Sequence, residues 1–213
     1  LEYELPPFAL IKEEHYLPAF YEACAAQLAE VQAILDTPGG ATFENTIVAL
    51  EKSGQYLGRV LRVFYNKSSS DTNDALNAIE EELAPKFAAH QDAISLNPVL
   101  FKRIKDLYDA RESLGLNTED AWLLERYYKD LIHKGAHLTE AQRDRLKELN
   151  EELSSLQTQF SKNVLADTND LAVLVDSVEE LDGLSENQIA AAAAAAKDRG
   201  HDGKWLIGMV NFT

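Results

Sequence analysis

Apolar residues recur every three or four positions along most of the chain, and this spacing predicts amphipathic helices. The first apolar row consists of Leu17, Phe20, Cys24, Leu28, Val31 and Leu35. Residues 37–40 contain a proline and two glycines, so the first helix ends there. A second helix is predicted over residues 43–65. Gly54 lies in its apolar row, which indicates that another helix approaches closely at that point.

Three further helices are predicted between residues 72 and 135. Pro85 lies inside the first of them, and a kink or a break is expected there because proline removes a backbone hydrogen bond. Pro98 suits the first position of the next helix, where its missing N–H costs nothing. Gly135 is predicted to end the third helix.

The longest predicted helix covers residues 140–165 and follows a capping-box pattern at residues 139–142. Its apolar row consists of Leu146, Leu149, Leu153, Leu156, Phe160 and Val164. Steps of three and four residues are typical of a helix that packs along another long helix. We expect this row to pack against the second predicted helix, which would give an antiparallel, coiled-coil-like core.

The pattern changes after residue 169. Residues 171–175 and 205–210 are short apolar runs that predict two strands, and a helix through residues 190–196 separates them. Both strands are apolar on both faces, and an isolated two-stranded sheet is marginally stable in water, so further chain is expected to complete the sheet. The predicted fold is therefore mainly α, a long-helix bundle with a small β element. The predicted domains are 1–166, helical, and 167–213, a strand–helix–strand segment that leads on to the further chain.

Composition narrows the possible partners. The chain has 20 basic and 36 acidic residues and a net charge of −16, which opposes binding to nucleic acid and to anionic membranes. No apolar run approaches the ~18 residues of a membrane span, and residues 1–10 lack the features of a signal peptide. Cys24 is the single cysteine, so no internal disulfide forms, and a cytoplasmic location is predicted. Cys24 itself is interpreted as a core residue rather than a nucleophile.

The closest approach to a metal site is the pair His133 and His137, which have the i, i+4 spacing of zinc ligands on a helix. Lys134 stands where a metallopeptidase needs its glutamate base. Gly135 is predicted to end the helix between the two histidines, and no third ligand lies nearby. Two solvated histidines at a helix end are therefore the favoured interpretation.

The other candidate groups are interpreted without a catalytic role. Residues 200–204 combine glycines with Lys204 but lack the spacing of a phosphate-binding loop, so a helix end and a turn are predicted. His15, His90 and His201 are expected to be surface or hydrogen-bonded residues. Three acidic runs are interpreted as solvated faces. They occupy residues 80–82, 151–152 and 179–180.

Several short segments, taken in order, carry a family pattern. They include EHYLPAF at 14–20, TFENTI at 42–47, NPVLF at 97–101, GAHL at 135–138, FSKNVL at 160–165 and GHDGKW at 200–205. Together they resemble the N-terminal region of the thimet-oligopeptidase-like zinc metallopeptidases, and they are more similar to the bacterial peptidyl-dipeptidase branch than to oligopeptidase A. The resemblance covers nearly the whole chain.

The resemblance implies a two-lobed, largely helical enzyme with a channel between its lobes. In that family the zinc lies on an H-E-x-x-H helix with a downstream glutamate, and the N-terminal region forms a channel wall that admits short peptides. This sequence contains no H-E-x-x-H motif, so no catalytic or metal-binding residue is assigned to it, and its substrate-binding residues stay unassigned.

The predicted function is thus the non-catalytic part of a zinc oligopeptidase that releases C-terminal dipeptides. Zinc is expected in the whole enzyme and not in this chain, which should be inactive alone. Its expected partners are short peptides together with the absent catalytic domain, with neither nucleic acid nor a membrane among them. The alternative is a free-standing helical module that binds another protein.

Overall fold

The computed structural model describes residues 5–209. The chain divides into two compact units, Leu1–Leu156 and Gln157–Thr213. The helices are α1 Tyr16–Leu35, α2 Ala49–Lys52, α3 Gln55–Ser70, α4 Asp74–Ser95, α5 Pro98–Asp109, α6 Thr118–His133, α7 Glu140–Asp170 and α8 Glu186–Asp198, and the strands are β1 Val173–Val175 and β2 Trp205–Ile207. The predicted mainly α class with a small β element is confirmed. The predicted domains 1–166 and 167–213 stay a prediction.

One core of the first unit joins α1, α3 and α4. The apolar rows of these helices meet there, and the aromatic rings of Tyr16 and Phe64 pack edge to face with centroids 5.3 Å apart. The buried members of this core are Tyr16, Phe20, Ala23, Leu57, Phe64, Leu76 and Leu83. Burying a large apolar side chain of this kind contributes about 1.5–3 kcal/mol.

A second core of the same unit joins the end of α1 to α5 and α6. A π-helical turn, Phe43–Val48, lies in this core and leads into α2. The buried members are Val31, Ile34, Phe43, Ile47, Leu50, Leu100, Ile104, Leu107, Leu124, Leu131 and Ala136. The two cores together explain why the first half of the chain forms a helical unit.

The predicted second helix is interrupted at Gly54. This glycine has φ +71°, in the left-handed region, and it separates α2 from α3. Its N–H donates to Glu30 Oε2 at 2.7 Å, and a Cβ placed on it would lie 2.2 Å from Gln27 Nε2. The expected close approach by another helix is confirmed, because Gln27 and Glu30 belong to α1. The expected continuity of the helix is wrong, since Gly54 leaves the helical conformation to allow that approach.

Local signals place other helix ends correctly. Pro98 opens α5 and Asn97 caps it, accepting hydrogen bonds from Val99 N and Leu100 N at 2.9 and 3.1 Å. Gly135 follows α6 with φ +93°, so the predicted end of that helix is confirmed. At Pro85 no break occurs, because α4 continues through the proline, and the alternative of a kink stays a prediction.

Helix α7 differs from the prediction in its packing. Its capping position is formed as expected, since Thr139 N donates to Gln142 Oε1 at 3.0 Å. No residue of α7 is buried, however. The exposed fractions along its apolar row are 43% for Leu149, 51% for Leu153, 59% for Leu156 and 70% for Phe160. The predicted pairing with the second helix is wrong, because α3 buries its own apolar residues in the core with α1 and α4.

The second unit contains the end of α7, the two strands and α8. Strands β1 and β2 are antiparallel, with Val173 opposite Ile207 and Val175 opposite Trp205. The alanine-rich helix α8 begins at a capping box in which Ser185 N donates to Gln188 Oε1 at 2.9 Å. Strand β2 ends at Ile207, so the predicted strand is wrong at Gly208 and Met209, and residue 210 lies outside the described residues. Completion of the sheet by further chain stays a prediction.

Candidate functional site

A cavity of about 730 Å³ lies between residues 6–11 and the helices α1 and α3. Its walls are mainly apolar, with Phe8 and Val63 among them, and His15, Arg59 and Arg62 supply nitrogen donors. The guanidinium of Arg59 lies 6.0 Å from the centroid of the Tyr56 ring. Apolar walls with a few converging polar groups are typical of small-ligand cavities.

A second cavity, of about 230 Å³, is lined by His90 together with Gln27 and Tyr127. His90 Nε2 lies 2.7 Å from Gln27 Oε1, which can only accept a hydrogen bond, so Nε2 carries the hydrogen. Nδ1 is then an acceptor, and this buried atom has no hydrogen-bond partner among the described residues. Burial lowers the pKa of His90 below its ordinary value, which favours the neutral ring.

Asp92 lies close by on the same helix and is also buried. Both of its carboxylate oxygens accept from Asn150 Nδ2, at 3.0 and 2.9 Å, and this contact ties α7 to α4 within the first unit. Burial raises the pKa of Asp92, while the hydrogen bond from Asn150 and the charges of Lys147 and Lys134 oppose that rise. The arrangement is structural in character, because a hydrogen-bonded carboxylate joins two helices.

A polar network fixes the π-helical turn against α5. Arg103 donates to Thr46 Oγ1 at 3.1 Å and to Asn45 Oδ1 at 3.0 Å. Asn45 also completes a capping box with Thr42, whose N–H donates to Asn45 Oδ1 at 2.9 Å. The segment TFENTI therefore contributes a cap and an arginine-binding pair, and no described contact assigns it a chemical step.

The structure places the two candidate zinc histidines on either side of a helix end. Helix α6 ends at His133, and Gly135 turns the chain before His137. Both histidines are exposed. Within residues 5–209 no group of three histidine, cysteine or acidic side chains is placed to hold a metal ion.

Cys24 lies at the edge of the first core. It packs against that core, and burial raises the pKa of its thiol to about 11, so the thiolate is scarce at neutral pH.

The other charged and histidine candidates lie on the surface or have polar partners. Lys204 Nζ pairs with Asp176 Oδ1 at 2.6 Å. His15 Nδ1 accepts from Lys12 N at 3.1 Å, and His201 is exposed in the turn after α8. In the first acidic run, Glu82 accepts a hydrogen bond from Tyr21.

The pairs that the sequence did not indicate are distant in the chain. The partners Gln27 and His90 are 63 residues apart, and Asp92 and Asn150 are 58 residues apart. No local pattern joins such residues. The Thr42–Asn45 cap was visible as a Thr-x-x-Asn pattern ahead of an apolar run, although Glu or Gln is the usual fourth residue.

The described helices include none that is both long enough and apolar enough to span a bilayer.

Comparison with known proteins adds to this picture. No family model matches the chain. The chain is 39% identical over 213 residues to dipeptidyl carboxypeptidase of Escherichia coli (strain K12), which covers 100% of this chain and 31% of the relative. It is 28% identical over 204 residues to oligopeptidase A of Salmonella typhimurium, covering 96% of this chain and 30% of the relative. A probable cytosolic oligopeptidase A of Arabidopsis thaliana is 23% identical over 214 residues, covering 96% of this chain and 30% of the relative.

The chain thus spans about a third of the length of the curated relatives it matches. All three relatives are peptidases by name. The resemblance predicted from the sequence motifs is confirmed: along its whole length, this chain is similar to part of the bacterial dipeptidyl carboxypeptidases and, at lower identity, of the oligopeptidases A.

Proposed function

We propose that this chain is the helical, non-catalytic part of a zinc-dependent oligopeptidase of the peptidyl-dipeptidase type. One observation carries the proposal: the whole chain is 39% identical to a dipeptidyl carboxypeptidase, against 28% for an oligopeptidase A over nearly the same residues. Its role is to form a wall of the substrate channel and to limit entry to short, unfolded peptides. Release of C-terminal dipeptides is favoured over internal cleavage by the higher identity.

The zinc belongs to residues beyond this sequence in the proposed enzyme. Zinc supplies the chemistry of peptide hydrolysis when bound, by polarising the carbonyl and lowering the pKa of its water. The sequence has no H-E-x-x-H motif, and the end of α6 separates His133 from His137. No step of the reaction is therefore assigned to a side chain of this chain, and we expect the chain to be inactive alone.

The first test measures zinc content and cleavage of a quenched-fluorescent peptide on the purified 213-residue chain. We expect substoichiometric zinc and no turnover. The variant His137→Ala serves as the control for adventitious binding, and it should behave as the wild type does. One zinc per chain with turnover that His137→Ala abolishes would contradict the proposal.

A second test uses the complete gene product. We expect it to cleave short peptides, and mass spectrometry of the products should find dipeptides from the substrate's C-terminus. Products cut at internal bonds would indicate the oligopeptidase A type instead. A stop codon directly after residue 213 would favour the free-standing binding module.

A further inference from the structure

The cavity between residues 6–11, α1 and α3 has no part in the proposed function. Its volume of about 730 Å³ lies within the range of roughly 300–1,000 Å³ that is typical of small-ligand sites. Most of its wall is apolar. The apolar lining includes Pro6, Pro7, Phe8, Ile11, Val60 and Val63. All of the lining residues belong to the first unit, so the cavity is formed within one unit of the chain.

Two arginines of α3, Arg59 and Arg62, line this cavity and have no oxygen partner within residues 5–209. The chain has eight arginines, and each of the other six binds a side-chain or backbone oxygen. Those six are Arg103, Arg111, Arg126, Arg143, Arg145 and Arg199. Carboxylates are not scarce, because the chain has 36 acidic and 20 basic residues. Two unpaired arginines in one cavity therefore set this site apart from the rest of the described chain.

The local backbone leaves room for one of the two guanidinium groups. Arg62 folds back along α3, and its Nη1 lies 3.3 Å from the position that a Cβ on Gly58 would take. A glycine inside a helix costs ~1 kcal/mol relative to alanine. The third nitrogen donor of the cavity, His15, is engaged by Glu14, whose Oε1 lies 3.8 Å from His15 Nε2. The two arginines are thus the groups left to bind an anion.

The apolar wall and the two arginines together define a class of ligand. A guanidinium group matches the two oxygens of a carboxylate. A peptide also carries backbone N–H and C=O groups that need hydrogen-bond partners, and this cavity offers few, because its wall is mainly apolar and Pro6 and Pro7 have no N–H. A nucleotide would leave its sugar and base polar groups against the same wall. An aliphatic chain that ends in one carboxylate fits both parts of the cavity.

We propose that this cavity binds an aliphatic monocarboxylate, such as a medium-chain fatty acid. The aliphatic chain lies against Phe8 and Val63, and the carboxylate binds Arg59 and Arg62, which are neighbours on α3 at a spacing of three residues. The site goes beyond the proposed function, since its ligand is not a peptide, and it does not depend on peptidase activity. The net charge of −16 opposes an anion at long range, so binding depends on the two arginines and the apolar contact together.

The test titrates octanoate, and octanol as its uncharged counterpart, into the complete gene product with binding followed by ligand-observed NMR. We expect saturable binding of octanoate and weaker binding of octanol. Arg59→Gln with Arg62→Gln should weaken octanoate on the order of tenfold, the equivalent of one charge-assisted hydrogen bond, and leave octanol unchanged. Phe8→Ala should weaken both ligands. Arg126→Gln with Arg145→Gln removes the same charge elsewhere in the first unit and should change neither.

The outcomes separate this site from the proposed function. Octanoate that binds no more tightly than octanol, or that binds equally to the two double variants, would overturn the site. Binding by the 213-residue chain that the complete product lacks would overturn it too, because the cavity would then be covered in the whole protein. A product that binds octanoate through the two arginines but has no peptidase activity would support the site and contradict the function. An active peptidase that does not bind octanoate would contradict the site alone.

Discussion

Helices α3 and α7 carry apolar residues at the same spacing and have opposite surroundings. In α3, Leu57 and Phe64 are buried among side chains of α1 and α4. In α7, Leu153 and Phe160 stand exposed on a helix with no buried residue. Periodicity therefore predicts that a helix has an apolar face, but it does not predict which surface covers that face.

Substitution of one phenylalanine in each helix tests this difference between α3 and α7 most directly. Phe64→Ala should cost about 3–5 kcal/mol of unfolding free energy, because it leaves a cavity in the core. Phe160→Ala should change that free energy by less than about 0.5 kcal/mol, since the ring contributes little where it is solvated. Urea unfolding of the two variants beside the wild type measures both values. A loss above about 1 kcal/mol for Phe160→Ala would show that α7 is covered in the isolated chain.

Gly54 tests how closely α3 is packed, because this glycine lets α3 approach α1. Gly54→Ala should cost about 1–2 kcal/mol from its left-handed backbone, and more because the added methyl displaces Gln27 from its hydrogen bond with His90. Gly115 is the matched control, with φ +64° and nothing within 4 Å of an added Cβ. Gly115→Ala therefore reports the backbone strain alone. Equal losses in thermal unfolding would refute the close approach as a source of the cost.

The helix ends and the break at Gly54 show how much of the fold could be predicted from the sequence. The ends of α5 and α6 followed from Pro98 and Gly135, because proline and glycine act on their own backbone. The mainly α class followed from spacing, which is equally local. The break at Gly54 required knowledge that Gln27 and Glu30 lie beside it, and the sequence shows no such neighbour.

The candidate site was less predictable for the same reason. The interpretation of His133 and His137 used only residues within a few positions, and the end of α6 at His133 agrees with it. His90 was expected to be a surface or hydrogen-bonded residue, and it is the hydrogen-bonded kind. Its partner Gln27 lies on another helix, so neither the pair nor the adjoining cavity could be read from local spacing.

The polar anchor of α7 gives the next prediction. Asn150→Ala removes the donor to the buried Asp92 carboxylate and leaves both oxygens without that contact, which should cost about 1–3 kcal/mol. Asn163→Ala, on the exposed part of the same helix, removes a hydrogen bond from Gln159 and should cost almost nothing. Chemical denaturation of both variants checks the difference. If Asn150→Ala proves neutral, α7 is held by other contacts.

The smallest effect at neutral pH concerns His90, whose buried ring has a lowered pKa. A histidine with a pKa lower in the folded than in the unfolded state contributes stability that is fully present above the unfolded pKa of 6.5 and is lost as the pH falls through the lowered folded value. The raised pKa of the neighbouring Asp92 acts in the opposite direction, at pH values above its ordinary 3.8.

The wild type should therefore lose more unfolding free energy than His90→Gln when the pH is lowered from about 7.5 to about 5.5, because the unfolded chain takes up a proton that the folded ring resists. Parallel urea titrations at both pH values measure this slope, and the variant cancels the contribution of every other titrating group, including Asp92. Equal slopes in the two proteins would mean that the His90 ring is charged without cost in the folded chain, and that its unpartnered Nδ1 finds an acceptor.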